Sequence, residues 1–545
     1  MKNKVILLIV LLVLFNTGCK NQQSIDIVPE LYDSELKNIS TENYFYIPKD
    51  QTNIDLSKYA GKDAYLVLYN LSDKIYKLNP ENENFGSVNI NGNATENLLV
   101  DNIINETILN EHPTHVFMNE VQIDKSLTDY SRKSHRFNPI EKVDYKIGDK
   151  LLFKHQKQTN VDTTIIESEA QCKFVGNNCV LWFSNNSNIE NHESNFDFIE
   201  IGKKFDYLLD IYLEFNDISF KDSNNLQIIS FPDGYKLNII LFDIDPYLDA
   251  FVKGYFNNSD YFLKKHNDFS NEGKFLYIDS TFPESIFETF IHEYTHLKTY
   301  ESKVMLKDQR NDTWYTEMLS MLAEEIFEDF IGDNIERKKR LSNCMWNTNN
   351  GLFYWKKPNE NLIHSCYSNN YTFGTYLLHI YGGLDFYKEL IFNDYTNAMS
   401  IDEALKKYDS SLFEALVKYP QIFVNCNNNN SELFTLNKNT NSVFSEKYPF
   451  QIINAIDFSN YCIVLNDINQ TEHIVNKRIE KVENESTVKV YGPRIFKTNH
   501  CFINYYNYGF SISYIGNINV GDILEVKHPT EEDLVYLLMI TNPSE

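Results

Sequence analysis

The sequence predicts an α+β fold in which a central helical segment is flanked on both sides by β-rich ones. Apolar residues recur at three- and four-residue spacing between 286 and 297 and again after 313, the period of a helix that buries one stripe. Short runs rich in β-branched and aromatic residues, cut by Gly, Asn and Asp, fill the stretches 64–183 and 450–539. At 545 residues the chain is long enough to bury large cores.

The chain opens with Lys2 and Lys4, an apolar run from Val5 to Phe15, and then Asn16-Thr17-Gly18-Cys19. This is the layout of an export signal: a basic start, an apolar stretch shorter than the roughly 20 residues a spanning helix needs, and small residues at a cleavage site. A Cys directly after a small residue resembles a bacterial lipoprotein box, so Cys19 is the expected lipidated first residue after removal of 1–18. A plain secretory signal is the alternative, since Asn16 stands where that box has an aliphatic residue. The polar stretch 19–59 then reads as a tether lifting the body off a membrane. A net charge of −26 and a pI near 4.9 argue against a nucleic-acid partner and against attraction to anionic lipid.

A small all-β domain is expected over 60–183, from runs such as Ala64–Tyr69, Lys150–Phe153 and Cys179–Phe183. Setting Cys19 aside leaves seven of the eight cysteines, an odd number. Cys172 and Cys179 bracket a turn between two strand-like runs, which suits either a disulfide or two buried thiols. The central segment is expected to form a domain of its own over 184–424. A helix is predicted around 203–213, followed by strands at 226–230, 237–242 and 274–278, the last just before the next helix. Lys274–Ile278 is the candidate sheet edge to which an extended peptide could pair.

The helix that follows carries His292-Glu293-Tyr294-Thr295-His296. Residues four apart share one helical face, so both imidazoles can reach one metal ion while Glu293 can reach a water on it. Pro283, with Thr281/Glu284 or Ser285/Glu288 as a capping box, predicts the helix start. Ile286, Phe287, Phe290, Ile291, Tyr294 and Leu297 are expected to form the buried stripe. Catalytic zinc takes three protein ligands and keeps a fourth position for water, so a third ligand is needed downstream. Glu317 is the candidate, a carboxylate in the first turn of an apolar helix beginning near Thr313, where burial would demand a partner. Glu324 and Glu325 are weaker rivals, read as solvent-facing.

These residues carry a resemblance. His292–His296 followed by Trp314-Tyr315-Thr316-Glu317 resembles the gluzincin pattern. The run from Tyr277-Ile278-Asp279 through Leu319–Glu324 to Tyr367, Tyr371, Phe373-Gly374, Tyr376 and Tyr381-Gly382-Gly383 resembles the hyicolysin-type neutral zinc metallopeptidases, peptidase family M30, over roughly 182–405. The resemblance implies a thermolysin-like catalytic core, zinc (Zn2+) on His292, His296 and Glu317, and Glu293 as general base. Two positions depart from it: Thr316 replaces a common Asn, and Met321 stands where thermolysin-like enzymes carry an Asp that orients the zinc histidines. That leaves the orienting partner without a candidate. For the donor to the developing oxyanion, Tyr371 is the choice, with Tyr367 and His364 as rivals and a core role for all these aromatics as the alternative.

Past the Asn-rich run 425–430, short strands with polar turns predict a β-sandwich-like domain over 425–545. The expectation is therefore an exported, lipid-anchored zinc endopeptidase of the bacterial cell envelope, acting on protein or peptide. A non-catalytic surface adhesin that keeps a zincin fold is the alternative from another class, and a zinc hydrolase of non-peptide substrates is a further one.

Overall fold

The computed structural model describes residues 29–79, 86–92, 98–100, 143–158, 163–186, 192–215, 231, 234–244, 252–265, 267–305, 307, 309–332, 335–355, 363–424, 456–475, 478–482, 487–498 and 500–542. The export signal, Cys19, the predicted strand at 226–230 and the Asn-rich run fall outside them. Among the described residues no helix is long and apolar enough to cross a membrane.

The chain mixes helices with several sheets. A six-stranded sheet holds β7 (Lys150–Gln158), β8 (Thr163–Val175), β9 (Cys179–Phe183), β10 (Leu237–Phe242), β12 (Phe275–Asp279) and β11 (Gly254–Phe256), in that spatial order. Hairpin pairing joins β7, β8 and β9; β9, β10 and β12 run parallel, with the helix Phe198–Phe215 between the first two in sequence. Strands β9, β10 and β12 are buried on both faces, which is why they read as continuous apolar runs. Leu181, Ile239, Leu241, Leu276 and Ile278 join the helical core, while Val180, Trp182, Ile240, Phe242 and Tyr277 pack with Phe153 on the other side.

The helical layer begins with the motif helix Ile286–Thr299, passes through a π-helical stretch Tyr300–Met305, and continues through Thr313–Ile326, Ile335–Trp346 and Ile363–Ile380. The predicted stripe of the motif helix is buried in that core except for Phe287, which packs against it half-buried. Its capping boxes are absent. Pro283–Ser285 forms a 3-10 turn instead, Ser285 makes no side-chain cap, and its hydroxyl donates to the Phe282 carbonyl.

Both ends of the chain share one sheet. β1 (Tyr44–Ile47) and β3 (Asp63–Asn70) interleave with β21 (Leu534–Thr541), β19 (Phe510–Asn517) and β16 (Phe496–Lys497), in the order β1-β21-β3-β19-β16. One face of β3 (Tyr65, Val67, Tyr69) enters the helical core; the other (Ala64, Leu66, Leu68) packs on a second core beneath β2 (Asn53–Asp55), β20 (Ile523–Lys527) and β5 (Ser87–Ile90). The Tyr69 hydroxyl donates to the Leu416 carbonyl at 3.0 Å, fastening this sheet to the helix Leu412–Lys418. Smaller ladders pair β4 (Tyr76–Lys77) with β18 (Asn504–Tyr505) and β6 (Leu98–Val100) with β17 (His500–Phe502), and join β13 (Cys462–Leu465), β15 (Val488–Tyr491) and β14 (Ile479–Lys481).

This arrangement corrects the expected boundaries. The stretch 19–59 is no plain tether, since 29–39 is helical and β1 and β2 are paired. The stretch 60–183 is split: its first strands join the C-terminal ones, and β7–β9 complete the sheet beneath the motif helix. Cys172 and Cys179 are free buried thiols on opposite sheet faces, one in each core.

Candidate metal centre

Two helices supply the site. His292 and His296, one turn apart on the motif helix, both turn inward and are almost wholly buried. The helix Thr313–Ile326 returns alongside and brings in Glu317, also buried. One ligand atom from each of the three lies within 4.8 Å of the others. The imidazole Nε2 atoms are 3.2 Å apart, and Glu317 stands 3.3 Å from Nε2 of His292 and 3.4 Å from Nε2 of His296.

The donor set fits a metal ion. A tetrahedral ion with N and O donors at about 2.0–2.1 Å has donor–donor edges of about 3.3 Å, close to the 3.2 Å between the imidazoles and to the distance from each imidazole to one Glu317 oxygen, Oε2 for His292 and Oε1 for His296. Both Glu317 oxygens are buried without a hydrogen-bonding partner among the described residues, and a carboxylate in that position calls for a cation. Burial alone would raise the Glu317 carboxyl, but the two imidazoles outweigh it and hold the group below its ordinary range.

The partner that orients the His292 ring is Glu324. Its Oε1 lies 2.6 Å from Nδ1 of His292, which turns Nε2 toward the centre. Arg340, on the helix Ile335–Trp346, grips the same carboxylate through both Nη atoms. Burial pushes the Glu324 carboxyl up, and Arg340 and His292 together pull it well below the usual range. The expectation that Glu324 and Glu325 face solvent is wrong for both: each is at most 1% exposed. The signal was available. Glu324 lies seven residues after Glu317, two turns along the same helical face.

Glu325 belongs to a neighbouring ion-pair network. Arg337 Nε stands 2.8 Å from Glu325 Oε2, and its Nη1 is 2.6 Å from Glu328. The Tyr371 hydroxyl donates to Glu325, and the Tyr371 ring lies under the Arg340 guanidinium, 5.4 Å from its centroid. Tyr371 is therefore not part of the metal group: its hydroxyl is held by Glu325, and its ring is three contacts from His292, through Arg340 and Glu324. His364 is half-buried near Glu336 and Lys339, with burial holding its imidazole below the usual range.

Glu293 is 2% exposed beside the ligands, and its Oε2 has no hydrogen-bonding partner among the described residues. Burial raises its carboxyl to about 8, with the His292 imidazole and the Phe256 backbone N–H acting in the opposite sense. Phe256 ends β11, and β11, not β12, is the sheet edge: β12 is paired on both sides, to β10 and to β11. Gly254 lets that edge approach the motif helix. A Cβ there would run into Thr289, stand 2.8 Å from the Tyr277 carbonyl oxygen and touch Glu293 Cγ at 3.4 Å.

No protein-family model matches this chain, and no curated protein matches it either.

Proposed function

We propose that the protein is a zinc-dependent endopeptidase, exported and held to a bacterial membrane by lipid on Cys19, with a thermolysin-like catalytic core related to the hyicolysin-type peptidases. The observation that carries this reading is the buried group of His292, His296 and Glu317, whose carboxylate has no hydrogen-bond donor among the described residues, with a second carboxylate, Glu293, beside it. Zinc held there would supply Lewis acidity, polarising a substrate carbonyl and lowering the pKa of water to about 7. His292, His296 and Glu317 would hold it, the imidazoles through Nε2, and Glu324 keeps the His292 ring turned for that purpose. Glu293 takes the proton from the attacking water and passes it to the leaving amine as the peptide bond breaks. Its burial suits the second half of that task, because a carboxyl raised toward neutrality releases and regains a proton readily. A substrate strand pairs with the outer edge of β11, which lays its backbone across the face of Glu293.

A binding scaffold has no use for a base beside a metal. The test is cleavage of casein, an unstructured substrate, by Glu293→Gln. The variant is expected to keep its metal and lose at least about a hundredfold in turnover; full activity in the variant would sink the mechanism, and a metal-loaded wild type without cleavage would favour the adhesin.

A further inference from the structure

Arg494 is a buried cation with no anion beside it among the described residues. It lies between β15 and β16, and its backbone N–H donates to the Met345 carbonyl at 3.0 Å, at the end of the helix Ile335–Trp346. The side chain turns inward until 3% of the residue is exposed. Its guanidinium stands over three rings, 5.7 Å from the centroid of Trp346 and 4.9 Å from those of Phe496 and Phe502. Nη2 donates to Nε2 of His473 at 2.9 Å, which requires that imidazole to be neutral. Burial, with Arg494, His500 and Lys497 nearby, holds His473 down at about 4.

The remaining donors are unspent. Nε and Nη1 are buried with no hydrogen-bonding partner, and no carboxylate pairs with the guanidinium among the described residues. Burial alone presses on its charge, with no acid opposing it. Arginine cannot escape by losing its proton. Rings over its faces offset part of the desolvation, but they leave the N–H groups in its plane unanswered. The neighbourhood is basic as well, in a chain whose net charge is −26. Lys497, exposed, and His473 and His500, half-buried, stand near Arg494.

We propose that Arg494 is the floor of a binding site for a small oxyanion from solution, a carboxylate or phosphate group received by Nε–H and Nη1–H. The site stands apart from the metal centre and does not depend on the peptidase reading.

The experiment is thermal melting of the full-length chain at constant ionic strength, titrated with formate or with inorganic phosphate against a chloride reference. Wild type is expected to gain a saturable rise in Tm, on the order of 2 °C or more, with at least one of the two oxyanions. The stronger of the two responses identifies the source of the group. Arg494→Met, which keeps the aliphatic stem between the rings, is expected to lose the response and to melt no lower than wild type in chloride. Equal responses in the two proteins overturn the proposal. A variant that fails to fold is replaced by crystals of the wild type soaked in selenate and in bromoacetate. An anomalous peak within hydrogen-bonding distance of Nε or Nη1 supports the site, and water alone, or an acidic side chain of the chain itself, in that position overturns it.

Discussion

Removing the charge of Glu324 would strand two partners at once, the Nδ1–H of His292 and the guanidinium of Arg340, both buried. Outer carboxylates of this kind typically change metal affinity or activity by about 10- to 100-fold. Glu324→Gln is therefore expected to weaken metal binding by that factor while Glu293 and Glu317 stay intact, as measured by competition with a chromogenic chelator. Unchanged affinity would remove Glu324 from the site. At this scale the sequence was most legible where chemistry fixes spacing: His292, Glu293 and His296 follow from one turn of helix, and Glu317 from an oddly placed acid. It was least legible where a role depends on a tertiary neighbour. Glu324 and Glu325 look like an ordinary acidic pair until Arg340 and Arg337 arrive from the next helix, and Tyr371 looks free to act until Glu325 takes its hydroxyl.

The motif helix is anchored at its far end by Glu301, in the π-helical stretch that follows it. That carboxylate meets Lys274 at 2.7 Å, Lys298 at 2.9 Å and the Tyr261 hydroxyl at 2.9 Å, tying the helix to β12. Burial would raise its carboxyl, but the two lysines prevail and hold it down at about 2. Because the folded value lies below the unfolded one, near 4.5, this stabilisation is fully present above about pH 4.5 and fades as the pH falls toward 2. Glu301→Gln is expected to lose about 3–5 kcal/mol at pH 7, the usual effect of breaking a buried ion pair. Urea unfolding should show the gap to wild type narrowing between pH 5 and 3; a gap independent of pH would contradict the assignment. The elements themselves were legible as far as periodicity reaches. The strand before the motif was found at β12, but its place in the sheet was not, because a three-residue strand such as β11 leaves no pattern to read.

At the scale of the whole molecule, the expected division into successive domains gives way to interleaving. The N-terminal strand β3 lies between β19 and β21 from the far end of the chain, and β7–β9 extend the sheet on which the motif helix rests. Nothing in local composition records which strands pair across hundreds of residues, so alternation identified the strands and left their partners open. Residues 184–424 taken alone would expose the β9-facing edge of β10 and the apolar faces that β3 and β19 cover. That fragment is expected to show no cooperative thermal transition by circular dichroism, whereas a sharp transition would restore the domain boundaries read from the sequence.

The peptidase reading rests on Glu317 as the third ligand, so metal content and activity should be followed together in wild type and Glu317→Ala. About one zinc ion per chain is expected in the wild type, with chelator-sensitive cleavage of an unstructured protein, and both are expected to be lost in the variant. A wild type that binds no zinc, or a variant that keeps both zinc and cleavage, would contradict the account.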